Sequence, residues 1–195
     1  MPDATFALIA LGSNLAQGGV PPAEVVARAM EEVAALGREA MRSRLWRSPA
    51  WPPGGPDYVN AAMGLQVDLD ASALLQSLHG IEARWGRERA ARWEARTLDL
   101  DLLAWGDAVA PDPATQRRWR ELPPEAQGRE APDALVLPHP RMQDRGFVLL
   151  PLAEVEPAWR HPLLGTTVAG MLAALPPRAT EGVRPLADTR LPRPG

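Results

Sequence analysis

In the run Arg96-Thr-Leu-Asp-Leu-Asp-Leu-Leu-Ala-Trp-Gly106, two carboxylates, Asp99 and Asp101, stand two residues apart inside an otherwise apolar stretch. The run reads as a β-strand, and in a strand residues i and i+2 share a face. Asp99 and Asp101 then project together, while Leu98, Leu100 and Leu102 turn the other way into a core. Two like charges at that range repel unless cations compensate. Both are hard oxygen donors with no histidine or cysteine nearby, which favours Mg2+ over zinc. Mg2+ held by one or two carboxylates takes its other ligands from water and substrate phosphates. The plainer reading is a strand whose solvent face carries two aspartates, and the spacing alone leaves both open.

Directly upstream, Arg84, Arg87, Arg89, Arg92 and Arg96 fall within thirteen residues. They read either as a solvated basic loop or as a clamp for a polyphosphate whose metals sit on Asp99 and Asp101. Phosphoryl-type transfer needs little beyond metal, cationic donors and in-line positioning. All 21 basic residues are arginine, so any cation that grips phosphate here is a forked, permanently charged guanidinium. A third cluster is Leu-Pro-His-Pro-Arg-Met-Gln-Asp-Arg-Gly-Phe, residues 137–147. His139 lies between two prolines and so on a stiff loop; alone it reads as structural or functional, and Phe147 alone reads as core. His79 and His161 carry no comparable signal and read as surface or structural.

The elements that must position these residues follow from periodicity. Thr5–Leu11 is a buried strand ending in the turn-rich Gly12-Ser13-Asn14. Residues 21–37 form a helix started by Pro21 and Pro22 and stopped by Gly37, with Val25, Val26, Ala29 and Val33 as its apolar stripe. Residues 40–48 read as a strand, and a proline-rich loop leads to a longer strand over 58–69. A helix capped by Asp70 or Ser72 occupies the following stretch, and the Asp99–Asp101 strand comes next. Leu135–Pro140 and Gly146–Val155 follow as further apolar segments. This order suits an α+β sandwich with a largely antiparallel central sheet and helices packed on it. Residues 1–175 form one domain, with 111–133 an inserted polar loop or short helix. The Pro- and Arg-rich stretch 176–195 is expected to be poorly ordered.

With 195 residues and 46% apolar content the chain can bury a sizeable core. There is no long apolar run for a membrane span and no basic segment before the first apolar run, so neither an anchor nor a signal peptide is expected. The absence of cysteine excludes disulfides, thiolate metal sites and cysteine nucleophiles. A cytoplasmic monomer is the expectation. A net charge of −3 gives no global attraction to nucleic acid.

Taken together, Ala-Leu-Gly-Ser-Asn after the first strand, Ser48-Pro49-Ala-Trp51 followed by Pro56-Asp-Tyr58-Val-Asn60, the arginine run with Arg-Thr-Leu-Asp-Leu-Asp, and Pro-His-Pro-Arg-Met-Gln-Asp-Arg-Gly-Phe-Val-Leu-Leu-Pro-Leu closely resemble the 6-hydroxymethyl-7,8-dihydropterin pyrophosphokinase (HPPK) family. The resemblance spans about residues 4–160 and implies a ferredoxin-like α/β sandwich. It implies transfer of the pyrophosphoryl group of ATP to the hydroxymethyl group of a reduced pterin, with release of AMP, in folate biosynthesis. It also implies two Mg2+ ions on Asp99 and Asp101, and Arg87 and Arg96 as functional arginines. Glu82, Arg87, Arg89, Arg96, Leu102, His139 and Arg145 match ATP-binding positions. Ser48, Pro49, Trp51, Tyr58, Asn60 and Phe147 match pterin-binding positions, with Tyr58 and Phe147 as an aromatic sandwich. Arg92 and Trp93 match a mobile catalytic loop, so 84–96 is expected to order only around substrates. The chain departs from the pattern at Glu94, where the family has glycine, at Val136, where a hydroxyl residue is common, and at Trp51, where the apolar residue is smaller. A polymerase-beta-type nucleotidyltransferase also joins Gly-Ser to Asp-x-Asp, but close in sequence, whereas most of the domain separates Ser13 from Asp99. Two further alternatives are a non-catalytic Arg-rich binding module, which would need neither the paired aspartates nor the aromatic pair and which the net charge disfavours, and a degenerate chain that binds pterin and nucleotide without turnover.

Overall fold

The computed structural model describes residues 4–50, 53–86, 97–123, 126 and 130–187. Strand β1 (Thr5–Ser13) leads to helix α1 (Pro22–Ala34), then β2 (Arg38–Arg42), β3 (Trp46–Ser48) and β4 (Tyr58–Val67). Helix α2 (Ala71–Arg84), strand β5 (Asp99–Trp105) and helix α3 (Pro113–Arg120) follow. Helices α4 (Gly146–Val155) and α5 (Val168–Ala174) and the short strand β6 (Arg184–Pro185) complete the described elements. The single strand expected over 40–48 is two, because the chain leaves the sheet at Ser43–Leu45 and Ser43 Oγ instead accepts the Ala62 N–H. Of the two candidate caps for α2, Asp70 performs the role, accepting from Ala73 N at 2.8 Å.

The sheet runs β5-β1-β4-β3-β6, with β2 also on β4, and every pairing is antiparallel. Counting β2 and β3 as one broken edge, this is the strand order of a split βαβ sandwich, an α+β fold as expected. Helices α1 and α2 cover one face. There Val25, Val26, Ala29, Met30 and Val33 pack on Ile9, Leu11, Met63, Leu65 and Leu100. The opposite face carries a second, smaller core of Leu8, Ala62, Leu103, Leu149, Leu152 and Met171 beneath α4 and α5. Both faces are therefore covered, and a cleft opens where α4 stops short of the β5 end of the sheet. No helix among the described residues is long and apolar enough to cross a membrane.

The 111–133 insert begins as α3, whose N-cap Asp112 accepts from Ala114 N and Thr115 N. Residues 176–187 are better built than expected for a Pro- and Arg-rich tail. They form a short 3-10 turn at Pro177–Ala179, and β6 then pairs with β3.

Candidate active site

The site is assembled from three adjacent strands. In register, Asp99 pairs with Gly12 and Gly12 with Asn60; one step along, Asp101 pairs with Ala10 and Ala10 with Ala62. Leu100 and Leu102 belong to the α1/α2 core, so strand alternation sends Asp99 and Asp101 to the α4 face. Asn60 and Tyr58 emerge on that same face from β4, and between the two sides lie only Gly12 and Ala10. The result is a cleft of about 1090 Å3 with carboxylates at one side, aromatic rings at the other and a floor of small residues.

On the carboxylate side, β5 ends the sheet, and its outer backbone is held by side chain and loop. Glu82, on α2 and 1% exposed, accepts the Leu100 N–H through Oε1 at 2.8 Å. That amide lies between the two aspartates. Further along β5, Leu103 O accepts from His139 N at 2.8 Å. His139 Nδ1 accepts from Arg141 N at 3.2 Å, which leaves Nε2 as the N–H donor. Burial, then the Arg145 and Arg141 charges, push the His139 pKa down to about 3, against the opposing pull of Asp99. It is therefore a neutral imidazole at physiological pH. Arg145 Nη1 lies 3.8 Å from Asp101 Oδ2, and its guanidinium sits 5.8 Å from the Phe147 ring centroid. One arginine thus links the carboxylates to the aromatic side.

On the aromatic side, Asn60 Nδ2 donates to Ser48 Oγ at 2.9 Å, with both residues buried. That bond uses one of the two amide N–H donors and fixes the amide with Oδ1 over Gly12, where an added Cβ would meet it at 3.7 Å. An acceptor so placed suits the N–H edge of a heterocycle. Phe147 is 38% exposed, one of the few exposed large apolar side chains among the described residues, which overturns the reading of it as core. Tyr58, Pro49 and Phe147 line the same cleft, an arrangement suited to a flat ring.

Asp99, Asp101, Leu102, His139, Arg145, Ser48, Pro49, Tyr58, Asn60 and Phe147 all line this one cleft. Glu82 lies behind it, on the β5 backbone. Trp51, Arg87, Arg89, Arg92, Trp93 and Arg96 lie outside the described residues, as does most of the segment expected to be mobile. Arg84 is turned toward α1, where it pairs with Glu32 at 2.6 Å, and Trp85 Nε1 donates to the other oxygen of that carboxylate. Sequence reading also passed over Gly12 and Ala10, and read His79 as surface or structural, yet His79 lines the cleft with Leu75. Leu75, His79 and Glu82 recur at i, i+4 and i+7, and this helical spacing was the available signal. Trp119 and Asp133 of the insert form part of the outer wall.

Among the described residues no three His, Cys, Asp or Glu side chains converge as a ligand set. The protein offers two neighbouring carboxylates and no imidazole or thiolate cage. That donor set fits Mg2+ shared with phosphates and does not fit a structural zinc.

The sequence matches the family described as 7,8-dihydro-6-hydroxymethylpterin-pyrophosphokinase (HPPK) over residues 8–157. A 2-amino-4-hydroxy-6-hydroxymethyldihydropteridine pyrophosphokinase of Synechocystis sp. is 39% identical over 168 residues, 85% of this chain and 74% of that protein. The protein of the same name from Methylorubrum extorquens is 35% identical over 182 residues, 92% of this chain and 99% of its own. Among solved structures, a Plasmodium falciparum HPPK-DHPS triple mutant with pteroate superposes with a TM-score of 0.62 at 12% identity, covering 93% of this chain. This chain spans only 46% of that HPPK-DHPS chain, and at such identity the likeness is one of fold. A family match over 150 consecutive residues, with relatives aligned across most of their own length, places the chain in the 7,8-dihydro-6-hydroxymethylpterin-pyrophosphokinase family.

Proposed function

We propose that the chain transfers the pyrophosphoryl group of ATP to 6-hydroxymethyl-7,8-dihydropterin, giving the pterin diphosphate and AMP in folate biosynthesis. The observation that carries this reading is the row Asp99–Gly12–Asn60. Neighbouring strands lie about 4.8 Å apart, so Asp99 and Asn60 are separated by about 10 Å with no side chain between them. A pterin ring held at Asn60, Tyr58 and Phe147 extends its hydroxymethyl arm over Gly12 toward the carboxylates. The hydroxymethyl oxygen then bonds to the β-phosphorus as the bond from that phosphorus to the α,β-bridging oxygen breaks. AMP leaves with the bridging oxygen, and the hydroxyl proton is released.

Asp99 and Asp101 would hold Mg2+, two ions in our reading, which when bound neutralises phosphate charge and polarises the transferred group. The protein's own groups do the rest. His139 presents a neutral Nε2–H donor, and Arg145 brings a cation to the boundary between phosphates and pterin. Asn60 fixes the ring edge. Arg87, Arg89 and Arg96 are assigned to the phosphates, and Arg92 and Trp93 to the same segment, on the sequence match alone. We take the acting species to be a cytoplasmic monomer.

Release of AMP from MgATP, measured with and without the pterin, tests the reading. Pterin-dependent AMP is expected; its absence would favour a binding protein without turnover. Asp99→Ala and Asp101→Ala should each lower turnover by about two to three orders of magnitude with the fold retained, the scale of losing a strong electrostatic contribution. Near-normal turnover in either variant would remove the metal assignment.

A further inference from the structure

Beyond Leu175 the chain turns back and touches the pterin end of the cleft from behind at two separate places. Gly146 opens α4 between Arg145 and Phe147. A Cβ there would lie 2.1 Å from Ala179 O and 2.9 Å from Thr180 Cγ2, so the helix start and the tail are in backbone contact that only glycine permits. Three residues on, Gly182 adopts φ +72° against the proline of the Ser48–Pro49 turn, where a Cβ would fall 2.7 Å from Pro49 Cγ. The segment is then tied down. Arg184 and Pro185 pair with Arg47 and Trp46, Leu186 N donates to Leu45 O at 2.8 Å, and the partly buried Leu186 side chain packs against the α1/α2 core. Pro176, Pro177 and Pro185 reduce the freedom this segment loses on docking.

We propose that residues 176–187 are a positioning strap for the pterin subsite. The strap holds the start of α4, which carries Phe147, and the Ser48–Pro49 turn at one separation, and so sets the affinity for a flat ring it does not touch. The working domain then extends to at least Ala187. The inference rests on the placement of the pterin between Tyr58, Asn60 and Phe147. The carboxylate and nucleotide side, anchored by Glu82 and the His139 loop, has no such contact with the strap in the bonds described.

The test uses the full-length chain and calorimetry. Binding of the pterin is measured in the presence of a non-hydrolysable MgATP analogue, and binding of that analogue is measured alone. Leu186→Asp should release the strap and raise the pterin Kd about tenfold while leaving the analogue Kd within about threefold. Gly182→Ala, which presses on Pro49 with the strap still docked, should raise the pterin Kd about fivefold. Should Leu186→Asp fail to fold by circular dichroism, Gly182→Ala decides by the same split. A lowered Tm with both affinities unchanged, or an equal loss of both ligands, overturns the strap. Phe147→Ala is the control for the underlying placement. If it leaves pterin affinity intact, the subsite itself is misassigned; if it weakens the pterin while the strap variants do not, the strap alone is wrong.

Discussion

Replacing Glu82 with alanine removes a buried acceptor from the backbone amide between Asp99 and Asp101. Glu82 is 1% exposed and its Oε1 stands 2.8 Å from Leu100 N. The amide loses a buried hydrogen bond, and leaving a buried N–H unsatisfied costs about 1–3 kcal/mol. For a chain of this length each kcal/mol moves Tm by about 2–4 °C, so Glu82→Ala should melt about 2–12 °C lower. The larger effect should be on function. β5 ends the sheet, so Leu100 N has no strand on its outer side to replace the lost acceptor. Both carboxylates then move with the loosened backbone, and a misplacement of about 1 Å can cost about a hundredfold in rate. Glu82→Gln keeps an oxygen acceptor without the charge and should recover most of both losses. The assays are thermal melting, AMP release titrated against Mg2+, and Mn2+ binding followed by electron paramagnetic resonance in the presence of an ATP analogue. A Glu82→Ala enzyme with lower Tm but an unchanged metal requirement would refute the positioning role. Glu82→Gln as impaired as the alanine variant would show that an amide oxygen cannot stand in for the carboxylate, against a role as a simple backbone acceptor.

Gly12→Ala should leave Tm nearly unchanged, because the added Cβ meets only Asn60 Oδ1 at an ordinary 3.7 Å, yet it should lower kcat/KM about tenfold by raising the floor on which pterin and phosphates are placed; unchanged kinetics would mean the substrates do not cross Gly12. His161 is fully buried, its Nδ1 accepts from Leu163 N and Leu164 N, and burial followed by the Arg120 charge lowers its pKa to about 4. Between about 4 and the ordinary value near 6.5 the unfolded chain binds a proton that the folded chain refuses, so stability should fall as pH drops through that window, and His139 extends the trend toward pH 3. His161→Gln should flatten the dependence of urea midpoint on pH between 7 and 4; an unchanged slope would assign it elsewhere.

Strand and helix periodicity made the sandwich legible because each element buries one face. The α1 stripe of Val25, Val26, Ala29 and Val33 is buried as its spacing requires. The paired aspartates were legible for the same reason, since alternation in β5 leaves them one face to share. Gly146–Val155 is apolar on all sides and contains Pro151, so no periodicity separates a buried helix from a strand there. The break at Ser43 depends on a side-chain hydroxyl taking over a strand hydrogen bond from β4, a partner nineteen residues away.

What sequence proximity cannot supply is direction. Arg84 heads an arginine run that reads as one phosphate clamp, but as the last residue of α2 it turns toward α1 and is held by Glu32, fifty-two residues earlier. His79, passed over as an isolated histidine, reaches the cleft because it shares a helical face with Leu75 and Glu82. Gly12 and Ala10 matter for the side chains they lack, and no residue-type pattern announces an absence until the strands on either side are known. The tail is the sharpest case. Its composition argues for disorder when each residue is judged by its own burial. Its order comes instead from Gly146 and Gly182, two positions where backbone meets its neighbour without an intervening Cβ, and from Leu186 packing against a core built by earlier strands. The residues that sequence could name are those that line the cleft; what holds them in place is written in long-range contacts, of Glu82 with the β5 backbone and of the tail with Gly146 and Pro49.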